Sequence, residues 1–109
     1  MPKIHNPIKG RNFVIITPGS KYEKLNKLDA LLVEGLYKKN GAILFRGFDF
    51  DINIFRRFTS TYCSHSMKNL SAGREVIDDK NNIQSVDPGD NAFPLHPEMS
   101  REPWKPDVA

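Results

Sequence analysis

The sequence predicts an α+β fold in which strand, helix, strand and helix follow in order and the last third opens an all-β module. Three observations carry that reading. Two short apolar runs, "FVIITP" and "AILFRG", are bounded by proline or glycine, as strands are. Between them Leu25, Leu28, Leu32 and Leu36 recur at helical spacing. Beyond Ser64 the helical stripe stops and turn residues take over.

Residues 1–12, with Pro2 and Pro7, read as a loose N-terminal segment. "FVIITP", Phe13 to Pro18, is the first predicted strand, since β-branched side chains fit a pleated surface and Pro18 ends the run. Ser20 is the expected N-cap of a helix from Lys21 to Lys39, with Leu31 widening its leucine stripe. Lys38 and Lys39 suit the negative end of the helix dipole, and Asn40-Gly41 supplies a left-handed stop. Ala42 to Gly47 is then expected as a buried strand. Asp51 is the expected N-cap of a second helix through "INIFRRFTSTYCS", with Ile54, Phe55, Phe58 and Tyr62 on its apolar face. Further on, "REVI" and "NIQSV" predict two strands, and "DPGD" at 87–90 predicts a turn. No segment repeats and none is of low complexity.

A chain of 109 residues with 39% hydrophobic and 27% charged residues has globular composition and the size of one small domain. It holds no apolar run of membrane-spanning length and no signal-peptide pattern, so no membrane role is expected. The single cysteine, Cys63, excludes an internal disulfide framework and a cysteine-based zinc cluster, and points to the reducing cytoplasm. The formal charge of +3 is spread along the chain among acidic neighbours. No dense basic stripe interleaved with aromatics appears, so a nucleic-acid-binding role ranks last.

Chemistry concentrates at "FPLHPEMSREPW". A strand sends residues i and i+2 to one face, so His96 and Glu98 can aim an imidazole and a carboxylate at one ion. Two such nitrogens and one such oxygen, with open positions left, make the facial triad of non-haem Fe(II) oxygenases. Pro97 cannot donate to a central ladder, which places the pair where a strand meets a loop. By itself a His-x-Glu pair is a weak signal, and ordinary polar residues of a loop remain the alternative.

The segments "NGAILFRGFDFDINIFRRFTSTYCS" and "NNIQSVDPGDNAFPLHPEMSREPWKPDVA", in that order, resemble the TauD/TfdA-like family of Fe(II)- and 2-oxoglutarate-dependent oxygenases. The resemblance runs from about Phe13 onward. It rests on the Gly41–Gly47 strand between two helices and on the His96-Pro97-Glu98 motif. Glutamate in place of the commoner aspartate is similar to the clavaminate synthase-like and SyrP-like branch. The resemblance implies that His96 and Glu98 ligate iron, that 2-oxoglutarate is the cosubstrate, and that the whole enzyme oxidises a C–H bond of a small, amino-acid-like molecule. For the fold it implies that the strands after the second helix begin an incomplete double-stranded β-helix, or jelly roll. Residues 1–109 would then be a single partial domain.

The family also uses a histidine far downstream of this motif and an arginine beyond it. Eleven residues follow Glu98, with no histidine among them, and Arg101 lies too near the motif for the distal arginine. His65 with Arg74 has the right order but precedes the motif, and His5 lies in the N-terminal segment. The expectation is therefore an N-terminal portion of a longer oxygenase, or a truncated product, inactive alone. The competing expectation is a non-catalytic binding or scaffold module that associates through exposed strand edges.

Other residues carry two readings each. Gln84 faces a substrate pocket, or it faces solvent or supports its turn. Arg46 contacts substrate or is paired structurally at a buried strand's end. Cys63 is a small core or boundary residue, or a reactive thiol. Trp104 packs its loop or touches substrate. "DPGD" lacks the further carboxylates of a calcium loop and is read as a turn.

Overall fold

The computed structural model describes residues 1–66, 73–86, 89–90, 92 and 94–95. Two compact units divide the chain, residues 1–67 and 68–109.

In the first unit, β1 (Lys3–His5), β2 (Val14–Thr17) and β3 (Ile43–Phe45) form a sheet in the order β1-β2-β3. β1 runs antiparallel to β2, with Ile4 opposite Ile16, and β3 runs parallel to β2, with Ile16 opposite Phe45. A parallel neighbour needs a crossover. Here it consists of a 3-10 turn, Leu25–Lys27, and helix α1, Ala30–Asn40. Helix α2, Ile52–Tyr62, follows β3.

Val14 and Ile16 are fully buried and form a cluster with Leu25, Val33 and Phe48. Leu28, Leu36, Ile43, Phe45, Ile54, Phe58 and Tyr62 pack around it. The turn and both helices thus contribute to one cluster with Val14 and Ile16 and share one face of the sheet. An edge-to-face contact between Phe45 and Phe58 (ring centroids 5.0 Å apart) ties α2 to β3, and a second, Phe58–Tyr62 (5.1 Å), runs along α2 itself. Each large apolar side chain sealed here contributes about 1.5–3 kcal/mol.

The first strand and second helix fall where the sequence puts them. Asp51 caps α2, its carboxylate accepting from the Ile54 N–H at 2.8 Å. Gly41 ends α1 in the left-handed region (φ 77°), its N–H donating to the Tyr37 carbonyl at 2.7 Å.

The first helix starts later than expected. Ser20 does not cap it. Asp29 does, its carboxylate accepting from the N–H groups of Leu31 and Leu32. Within this helix Val33 and Leu36 reach the core, and Leu31 is 79% exposed. Phe55 is likewise exposed, so the packed stripe of α2 is Ile54, Phe58 and Tyr62. Residues 3–5, read as loose, form an edge strand. β3, expected to be buried, is an edge strand too, with Leu44 exposed.

In the second unit, β4 (Val76–Asp78) pairs antiparallel with β5 (Ile83–Gln84), with an irregular register between Val76 and Asp78. Asn82 takes φ 53° in the connecting turn, and the Asp78 carboxylate accepts from the Asn81 side-chain amide at 2.7 Å. The two predicted strands exist, and among the described residues they pair only with each other. The jelly-roll expectation is overturned on this point. A jelly roll needs several long strands curling into two facing sheets, whereas the described residues form an α+β arrangement of two small, separate sheets. Asp87 and Pro88 of the expected turn lie outside the described residues. Among the described residues no helix is long and apolar enough to cross a membrane.

Candidate functional site

His96 and Glu98, the expected iron ligands, lie outside the described residues, as do Trp104 and Arg101. Among the described residues no group of three His, Cys, Asp or Glu side chains converges to hold a metal ion. That corrects the expectation of an oxygenase fold with an iron centre as far as the described residues extend. His5 and His65 are exposed and engaged locally: His5 Nε2 lies 3.1 Å from Thr17 Oγ1, and His65 Nδ1 lies 3.0 Å from Ser64 Oγ. Arg74 is half-buried in the second unit. Gln84 is half-buried on β5 opposite Val76. Cys63 was expected in the core or at its boundary. It is exposed instead, at the C-terminal end of α2, where its N–H donates to the Thr59 carbonyl at 2.9 Å.

The described residues bury no polar or charged side chain. Tyr62 has a displaced titration: its hydroxyl is pushed above the usual tyrosine value by burial and then by the carboxylates of Asp29 and Glu34. Its ring packs at the margin of the core, and nothing in this setting makes it a reactive group.

What the fold does bring together lies on the other face of the three-stranded sheet. Residues directly opposite in a ladder share a face. Ile4, Val14, Ile16, Ile43 and Phe45 therefore face the helices, while Lys3, His5, Ile15, Thr17 and Leu44 face away. The His5–Thr17 contact fits this assignment. Alternation past Phe45 puts Arg46 on the same open face, next to Thr17. Lys3, Thr17 and Arg46 thus form one row across the sheet, its ends about 10 Å apart at ordinary strand spacing.

The charge of this sheet is one-sided. Lys3, Lys9, Arg11 and Arg46 belong to the strands and their flanks, whereas residues 1–22 and 41–48 contain no aspartate or glutamate. The carboxylates that border these stretches are engaged elsewhere, Glu23 with the Met1 ammonium and the Gly19 N–H and Asp49 with Lys24. The structural pairing expected for Arg46 is absent among the described residues, for Asp49 pairs with Lys24 instead, at 3.7 Å. Arg46 is exposed. The sequence hides this grouping because Lys3 and His5 join it through β1, whose few residues between prolines give no strand signal.

The backbone of β3 completes the geometry. The Ala42 carbonyl accepts from Val14 N–H at 3.2 Å and the Arg46 N–H donates to the Ile16 carbonyl at 2.9 Å. Because N–H and C=O alternate sides along a strand, Ala42, Leu44 and Arg46 address β2, and Ile43 and Phe45 point theirs outward. Gly47, at φ 79°, turns the chain away directly after this edge.

No protein-family model matches this chain, and neither any curated protein nor any solved structure does.

Proposed function

We propose that residues 1–109 are the N-terminal part of a non-haem Fe(II)- and 2-oxoglutarate-dependent oxygenase acting on a small, amino-acid-like substrate in the reducing cytoplasm. By themselves they do not turn over 2-oxoglutarate. The observation that supports this reading is the order of two motifs in one chain. A glycine-bounded strand lies between two capped helices, and His96-x-Glu98 follows it. His96 and Glu98 would hold the iron, which would supply the oxidising chemistry at a C–H bond. One imidazole and one carboxylate leave a divalent ion mostly to water, so the affinity of these residues alone is low. Arg46 lies with β3 in the first unit, and no residue here is assigned to the cosubstrate carboxylate.

The test has two readouts. Titrating Mn(II) into the isotopically labelled protein should broaden amide signals flanking His96 and Glu98, and His96→Ala should remove that broadening. With Fe(II), ascorbate and 2-oxoglutarate, succinate should stay at background. Broadening unchanged in His96→Ala would sink the half-site, and succinate formation that His96→Ala abolishes would sink the claim of incompetence.

A second reading, a non-catalytic binding module, is favoured by a separate observation, the edge of β3 that no described residue of its unit pairs with, in a sheet whose strands carry basic residues and no acid.

A further inference from the structure

We propose that the open edge of β3 docks an extended, apolar segment of a partner protein that carries a carboxylate, added as the next strand of the sheet. This deepens the binding-module reading and does not depend on the iron chemistry.

Unpaired N–H and C=O groups on a strand template another strand, and proteins usually protect such edges with lysine, proline or a bulge. β1 has that protection: Lys3 lies within it, and Pro2 and Pro7 flank it. β3 has none. Ile43, Leu44 and Phe45 are uncharged and run without proline or bulge, and the outward groups of Ile43 and Phe45 have no partner among the described residues of this unit.

The side chains define the occupant. A strand laid on this edge sets one residue beside Leu44 on the open face, where an apolar side chain covers exposed apolar surface. The next residue on that face meets Arg46, which no carboxylate neutralises among the described residues. Lys3, Lys9 and Arg11 add to the same positive field; no strand of the sheet carries an acid, and the bordering Glu23 is already paired with the Met1 ammonium. The complementary segment is therefore apolar with an acidic residue at the Arg46 end. Main-chain bonds supply the register and the charge supplies the choice, as in strand addition generally. A second copy of this chain fits less well, since it would bring another basic sheet to the same edge.

The experiment uses the full 109-residue chain and end-blocked, serine-flanked peptides of three valines either followed or preceded by one glutamate, to cover both strand directions. In the free protein the Ile43 and Phe45 amides should exchange with solvent faster than those of Leu44 and Arg46. One glutamate peptide should shift the Ile43 and Phe45 signals and slow their exchange. Replacing its glutamate by lysine should weaken binding about five- to tenfold, and N-methylating the valine amides should abolish it. In Arg46→Glu the preference should reverse toward the lysine peptide. Because Arg46 is exposed, this variant should keep the native circular dichroism. The peptide-side swap tests the same contact without altering the protein. Equal protection of all four amides in the free chain, equal binding of the N-methylated peptide, or shifts that avoid β3 would each overturn the proposal. So would a concentration-dependent dimer that protects Ile43 and Phe45, which would give the edge to a second copy.

Discussion

Alanine should stabilise the protein at Gly35 and destabilise it at Gly41, although the two glycines are six residues apart on and just past the same helix. A methyl group added at either position meets nothing within 4 Å. Packing therefore contributes to neither substitution, and the backbone alone sets the sign. Gly35 lies inside α1 on an exposed turn, where alanine is favoured over glycine by about 0.8–1 kcal/mol. Gly41 sits at φ 77°, where an L side chain costs about 1–2 kcal/mol. A less flexible unfolded chain returns about 0.4–1 kcal/mol of that cost. The net expectation is a gain of roughly 1 kcal/mol for Gly35→Ala and a loss of roughly 1 kcal/mol for Gly41→Ala. Their separation of about 2 kcal/mol is some 30-fold in the unfolding constant. Urea denaturation followed by circular dichroism reads it as opposite displacements of the midpoint at unchanged m-value. Gly41→Asn should recover most of the loss, because asparagine tolerates the left-handed region. Displacements of the same sign, or an asparagine as costly as alanine, would refute the backbone argument.

The helix caps and the tyrosine give two further predictions. Asp29→Ala and Asp51→Ala should each cost about 1 kcal/mol in the same denaturation experiment, since each carboxylate accepts from free N–H groups of a first turn. Asparagine at either site should cost much less, and an alanine variant of wild-type stability would remove that cap from the account. Tyr62 sets an alkaline limit. Its folded-state pKa is raised, chiefly by burial, so the folded protein holds the phenolic proton more tightly than the unfolded chain. Its contribution is complete below the ordinary tyrosine pKa near 10 and is lost as pH rises through the higher folded value. Thermal midpoints measured across that window should fall less steeply for Tyr62→Phe than for wild type, and parallel curves would count against this assignment.

Residues with one strong local cause were legible in the sequence. Asp51 and Gly41 act through groups within a few residues of themselves, so the cap and the stop of the helices could be read directly. The phase of α1 could not. Leu25 and Leu28 do reach the core, but from a 3-10 turn that precedes the helix, so their spacing carried no information about which side of α1 is inward. The helix is capped by Asp29, nine residues after Ser20, and within it Val33 is the buried residue while Leu31 faces solvent. Phe48 was missed for a related reason. It alternates with aspartates in "FDFD", and only the tertiary fold separates buried Phe48 from exposed Phe50. The jelly-roll expectation came from resemblance, and the short β4–β5 hairpin offers no curled sheet to support it. The metal motif depends on residues outside those described, so its legibility in the sequence stands without a geometric counterpart.

The division of labour between the two faces of the sheet follows from the same alternation. Val14 and Ile16 each commit one face of β2 to the core, and the residue between them, Ile15, can only face the other way. A fold that needed the open face for stability would cover it with a helix or balance its charge. Here both helices contribute to the Val14–Ile16 cluster, and the sheet carries basic residues with no acid among them. Arg46 and Lys3 bury no apolar core, so substituting them costs the fold little, whereas Ile16 cannot be cut back without leaving a cavity. That asymmetry makes the binding proposal separable from folding: a surface charge reversal can change what the edge accepts while leaving the unfolding midpoint in place.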